Sequence, residues 1–102
     1  MPITRLVKMT FRTDAINNFL DLFETKKTMI RDFPGCNHLE LWQDIHNPSI
    51  CFTYSHWETT EALEKYRNSS FFEDTWKATK QLFAERPEAW TIDVQFCSVT
   101  GS

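Results

Sequence analysis

The stretch YSHWETTEALEKYRNSSFFEDTW, residues 54–76, changes period twice. Up to Trp57 it ends a strand-like run, SICFTYSHW (49–57), in which Ile50, Phe52 and Tyr54 alternate with Cys51 and Trp57. Thr59 or Thr60 can then open a helix, with Glu61 in its first turn, where negative charge suits the helix dipole. Asn68-Ser69-Ser70 breaks that helix, and the Ser70-x-x-Glu73 spacing of a capping box predicts its restart. The restarted piece carries Phe72, Trp76, Thr79 and Phe83 along one face and ends before Pro87.

Working outward, CNHLELWQD (36–44) is a second strand-like run, joined to the first by the short turn Ile45-His46-Asn47-Pro48. The two are expected to pair antiparallel. Near the N-terminus, ITRLVKMTF (3–11) reads as a strand. Asp14 can cap the helix after it, whose positions Ile16, Phe19, Leu20, Phe23, Lys27 and Ile30 keep helical spacing, with Lys27 the polar exception. That helix should stop near Phe33, before Pro34-Gly35. At the other end WTIDVQF (90–96) alternates as a last strand. The order is β-α-β-β-α-β: an α+β, ferredoxin-like plan with a four-stranded antiparallel sheet, in one domain over residues 1–102.

Strand parity raises a second issue. Leu39 and Leu41 alternate with His38 and Trp42, so both faces of the sheet carry large apolar groups, whereas two helices cover only one. An uncovered apolar face of that size is unusual for a monomer, and a homodimer packed sheet to sheet is the expectation.

Composition removes several classes of function. The net charge is −3 and the 11 Lys and Arg are scattered, so the basic stripe of a nucleic-acid binder is missing. There is no run of apolar residues long enough for a membrane span, and MPITRLVKMT lacks the layout of a signal peptide; a soluble cytoplasmic protein is expected. Cys36, Cys51 and Cys97 show no CxxC spacing and read as free thiols used for packing. His38, His46 and His56 lie on different elements or faces, so no metal site is predicted. Nucleophile-elbow, zincin, Walker and dinucleotide motifs are also missing.

The remaining candidates are individual residues. His38 and Glu40, two apart on a strand, share a face, and a carboxylate beside an imidazole can orient a general base. His56 alternates with Trp57 and points to the opposite face, and His46 sits in the turn. Trp57, Tyr66, Phe72 and Trp76 form an aromatic stripe that suits either a core or the wall of a flat cavity for a planar aromatic ligand.

The element order, "FPGCNHLELWQD" and above all "YSHWETTEALEKYRNSSFFEDTW" resemble the antibiotic biosynthesis monooxygenase family over about residues 3–96. The resemblance implies a dimeric α+β barrel with a pocket between each sheet and its helices. It also implies oxidation of a small planar aromatic, such as an anthrone, quinol or related phenol, by molecular oxygen without metal, flavin or other cofactor. Carried onto this chain, it makes Trp57, Tyr66, Phe72 and Trp76, with Thr4, the substrate-binding wall. His38 is then the favoured base, with Tyr54 and Arg67 as hydrogen-bond partners. A haem-degrading branch of the same superfamily is the lesser alternative. Its asparagine, tryptophan and iron-ligating histidine fall here on Thr4, Tyr66 and Trp76, and all three differ. A non-catalytic dimeric small-molecule-binding or stress-related protein is the alternative from another class.

Overall fold

The computed structural model describes residues 2–98. Its elements run β1 (Ile3–Thr10), α1 (Ile16–Arg31), β2 (Cys36–Gln43), β3 (Ile50–Trp57), α2 (Thr60–Arg67), α3 (Ser70–Lys80) and β4 (Glu88–Ile92). The four strands form one antiparallel sheet in the order β2-β3-β1-β4. The ferredoxin-like plan is therefore present, with its second helix divided into α2 and α3.

The division has a local cause one residue away from the expected one. Ser69, in extended conformation, is the N-cap of α3, and its hydroxyl accepts from the Phe72 amide at 3.1 Å. Ser70 is already helical, so the predicted capping box with Glu73 does not form. Thr59 caps α2 in the same way, accepting from the Ala62 amide at 3.0 Å. Asp14 does not cap α1: Ala15 holds that position without a side-chain bond, and the Asp14 carboxylate pairs instead with Arg12 at 3.3 Å. Lys27, the polar break in the α1 stripe, lies on the solvent side and pairs with Glu24 at 2.8 Å, one turn back.

The last strand differs more. It begins directly after Pro87 and ends at Ile92, where its pairing with β1 reaches Thr4. The alternation continues through Val94 and Phe96, but β1 has run out, and these side chains are 62% and 83% exposed.

Registers decide which side chains share a face, because residues directly opposite in a ladder point the same way. On the face covered by helices, Leu39, Ser55, Arg5 and Thr91 form one row across the sheet, and Leu41, Thr53, Val7 and Ala89 the next. On the other face the rows are His38, His56, Thr4 and Ile92, then Glu40, Tyr54, Leu6 and Trp90, then Trp42, Phe52, Lys8 and Glu88. A bulge between Cys36 and His38 changes the parity of β2 at its start. Cys36 thereby turns inward to Trp57 although it is two residues from outward-facing His38.

Two apolar clusters fill the helix side. Ile3, Cys36, Trp57 and Leu63 make one, and Met9, Phe11, Phe19 and Cys51 the other. Gly35 leads into the first with φ +91, and a Cβ there would stand 2.5 Å from that of Ala62, so this turn before β2 requires glycine. Trp42, Trp90 and Ile92, all on the helix-free face, remain 39–43% exposed.

Candidate functional site

Between the helix-covered face and α1, α2 and α3 lies a cavity of about 390 Å³, within the size range of small-molecule sites. One wall is a continuous series of rings. Trp57 stacks on Tyr66 at 4.9 Å between centroids, Phe72 meets the edge of Tyr66 at 5.0 Å, and Trp76 stacks on Phe72 at 5.9 Å. Helical spacing from the Ser69 cap places Phe72 and Trp76 four apart on the inner side of α3, and Val7, Met9 and Leu39 of the sheet form the floor. Trp57 is core as much as wall, being 1% exposed and donating its indole N–H to the Ser55 hydroxyl at 3.0 Å.

Polar groups interrupt this lining at a few points. Arg5, at an inward position of β1, donates to the Thr91 hydroxyl at 2.9 Å. Burial, and next the charge of Arg67, lower its pKa from the usual guanidinium range, while Glu64 acts in the opposite direction. Arg67 reaches the same cavity but is paired with Glu64 at 3.1 Å. Burial pushes the Tyr66 phenol well above the ordinary tyrosine range, with Cys36 adding to the shift, so its hydroxyl keeps its proton at neutral pH. Thr75 also lines the cavity, and its hydroxyl is buried without a hydrogen-bond partner.

Thr4, His38 and Tyr54 are on the opposite side of the sheet. The expected union of wall residues with a His38 base in one cavity is not what the chain builds, because β1, β2 and β3 present Thr4, His38 and Tyr54 to the helix-free face. They form a cluster of their own there. His38 Nε2 lies 2.5 Å from Glu40, the Trp42 indole donates to the other oxygen of that carboxylate at 2.7 Å, and His56 Nε2 meets the Tyr54 hydroxyl at 2.7 Å. The bonds from His38 and then Trp42 hold the Glu40 carboxyl below its usual range. Burial first, and then His38, whose ring centre is 5.1 Å away, lower the pKa of His56.

Of the expected site residues, then, Trp57, Tyr66, Arg67, Phe72 and Trp76 share the cavity, and Thr4, His38 and Tyr54 do not. Arg5, Thr75 and Lys26 are cavity residues not singled out from the sequence. Arg5 was signalled by its place: it has the same strand parity as Ile3, Val7 and Met9. Among the described residues, no group of three or more His, Cys, Asp or Glu is arranged to hold a metal ion. No helix is long and apolar enough to cross a membrane.

Fold and cavity together define a ferredoxin-like domain with a ring-walled cavity under its helices. Residues 2–81 match the antibiotic biosynthesis monooxygenase family, and the chain belongs to that family. No curated protein matches it in sequence. Among solved structures it is similar to Rv0793 of Mycobacterium tuberculosis, with a TM-score of 0.87 at 15% identity over 97% of this chain and 100% of that one. A conserved protein of Methanosarcina mazei gives 0.85 at 16% identity over 90% and 91% of the two chains. A mutant of SnoaB, a cofactor-independent oxygenase of Streptomyces nogalater, gives 0.85 at 14% identity over 95% and 96%. At such identities these likenesses show the fold.

Proposed function

We propose that this protein is a cofactor-independent monooxygenase that oxidises a small planar aromatic, a quinol, anthrone or related phenol, with molecular oxygen. The observation that carries the reading is the ring-walled cavity, whose stacked Trp57, Tyr66, Phe72 and Trp76 suit a flat apolar ligand. Family membership supports it, and SnoaB, a cofactor-independent oxygenase, has the same fold.

The chemistry asks little of the protein. The substrate's anion passes one electron to dioxygen, and the resulting radical and superoxide combine into a new C–O bond. The peroxide anion so formed takes up a proton, and its O–O bond then breaks with loss of the hydrogen on the same carbon, leaving a carbonyl; one oxygen atom stays in the product and the other leaves in water. The aromatic walls hold the ring and exclude solvent, while the guanidinium groups of Arg5 and Arg67 and the Tyr66 hydroxyl offer donors to the anionic oxygen. We also infer that the protein works as a homodimer packed through the helix-free face, where Trp42, Trp90 and Ile92 are otherwise left to water.

Oxygen uptake by metal-free protein is the test, measured against reduced naphthoquinols, anthrones and catechols and corrected for autoxidation. Protein-dependent uptake with an oxygenated product is expected, reduced several-fold by Trp76→Phe. No uptake across the panel overturns the proposal in favour of a non-catalytic binding protein. That second reading is favoured by one observation: among the described residues lining the cavity there is no carboxylate or imidazole to act as a base.

A further inference from the structure

The charges around the cavity are one-sided. Arg5, Lys26 and Arg67 line it, and among the described lining residues there is no Asp, Glu or His, although the whole chain has a net charge of −3. Two of the cations are already engaged: Arg67 by Glu64 at 3.1 Å, and Lys26 over the face of Phe71 at 5.7 Å. Arg5 differs. Its one side-chain partner is the neutral Thr91 hydroxyl, and it makes no ion pair among the described residues.

A half-buried guanidinium keeps its charge and presents several donors, so holding one against a neutral hydroxyl leaves most of its hydrogen-bonding capacity unused. The neighbours of Arg5 in the row, Ser55 and Thr91, are neutral, and Glu64, whose charge reaches it, is paired with Arg67, so no carboxylate among the described residues is held against this guanidinium. Thr75 adds an independent sign on the helix side of the same space, a buried hydroxyl without a partner. Both groups can donate to a ligand: Thr75 has no partner, and Arg5 has donors beyond the one that meets Thr91.

We propose that the cavity takes its aromatic ligand as a preformed anion, an aromatic carboxylate or a comparably acidic enol, with Arg5 as the counter-ion that selects it. The inference deepens the monooxygenase reading and rests on it for the site. Since none of the described lining residues is a carboxylate or imidazole that could accept a proton, the ligand's ionisation belongs to the ligand itself, completed in water before entry. The ring series then recognises the planar body, and Arg5, in the row with Ser55 and Thr91, fixes which end of it points to the sheet.

The test is binding, read by quenching of tryptophan fluorescence, with 2-naphthoate and its uncharged isostere 2-naphthamide as probes at neutral pH. Naphthoate should bind at least about tenfold more tightly than the amide, the order expected for a charge-assisted contact. Arg5→Gln should abolish the preference, weakening naphthoate binding far more than binding of the amide, and Arg5→Lys should restore part of it. If Arg5→Gln fails to fold, loss of the preference on raising salt in the unaltered protein, with amide binding constant, supports the same conclusion. Equal binding of the two probes, no saturable naphthoate binding at millimolar concentration, or a preference that survives Arg5→Gln overturns it. The two proposals fail separately: selective naphthoate binding without oxygen uptake on any substrate sinks the oxygenase alone, and turnover of neutral quinols without anion preference sinks the anion site alone.

Discussion

His56 is a residue whose surroundings should make folding stability depend on pH. Its ring is bonded to Tyr54 and lies beside His38, and burial followed by the His38 charge lowers its pKa below 6.5, with Glu40 acting the other way. The unfolded chain therefore takes up the proton first, and folding stability is lost as pH falls through about 6.5. Glu40, held low by its bonds to His38 and Trp42, adds a loss in the same direction at more acid pH. The melting temperature should be lower at about pH 5 than at about pH 7.5, and His56→Gln should flatten the upper part of that slope. A melting temperature that does not change over this range would show that the His56 environment has no such effect. The outward placement of His38 and Tyr54 was legible in the sequence, because each has the strand parity that opposes Leu39 or Trp57. Thr4 was legible in the same way, since its parity opposes that of Ile3, Val7 and Met9.

At the level of the element, the junction of α2 and α3 is held by a serine hydroxyl. Ser69→Ala removes the bond to the Phe72 amide and should cost about 1 kcal/mol in chemical denaturation, whereas Ser70→Ala should be nearly neutral. The reverse order would restore the capping box with Glu73. Cap chemistry was legible to within one residue here, because Ser69 and Ser70 are chemically equivalent and only backbone conformation tells them apart. Asp14 shows the same limit: a good capping residue one position too early, taken by Arg12. Strand β4 shows another, since the alternation of residues 90–96 describes side chains, while the length of a strand is set by the partner it pairs with.

For the whole molecule, the helix-free face predicts assembly. Sedimentation should show a dimer at micromolar concentration, and Trp90→Glu, placing a charge in the row with Leu6 and Tyr54, should shift it to monomer while the fold survives. A monomer before substitution would remove the case for sheet-to-sheet packing. The number and order of elements were legible because the period changes at Thr59 and the breaks at Pro34-Gly35 and Asn68-Ser69 are chemically sharp. The cavity was legible only in part, as its aromatic wall follows one stretch of sequence, from Trp57 at the end of β3 through Tyr66 of α2 to Phe72 and Trp76 of α3, but its floor is gathered from all four strands. That floor gives β1 a double character. Its odd-numbered residues Ile3, Arg5, Val7 and Met9 face the helices, and its even-numbered residues Thr4, Leu6, Lys8 and Thr10 face the opposite way. The floor of the cavity and the helix-free face are thus encoded in alternate letters of one eight-residue word, so either can be rewritten by point substitution without altering the side chains that face the other.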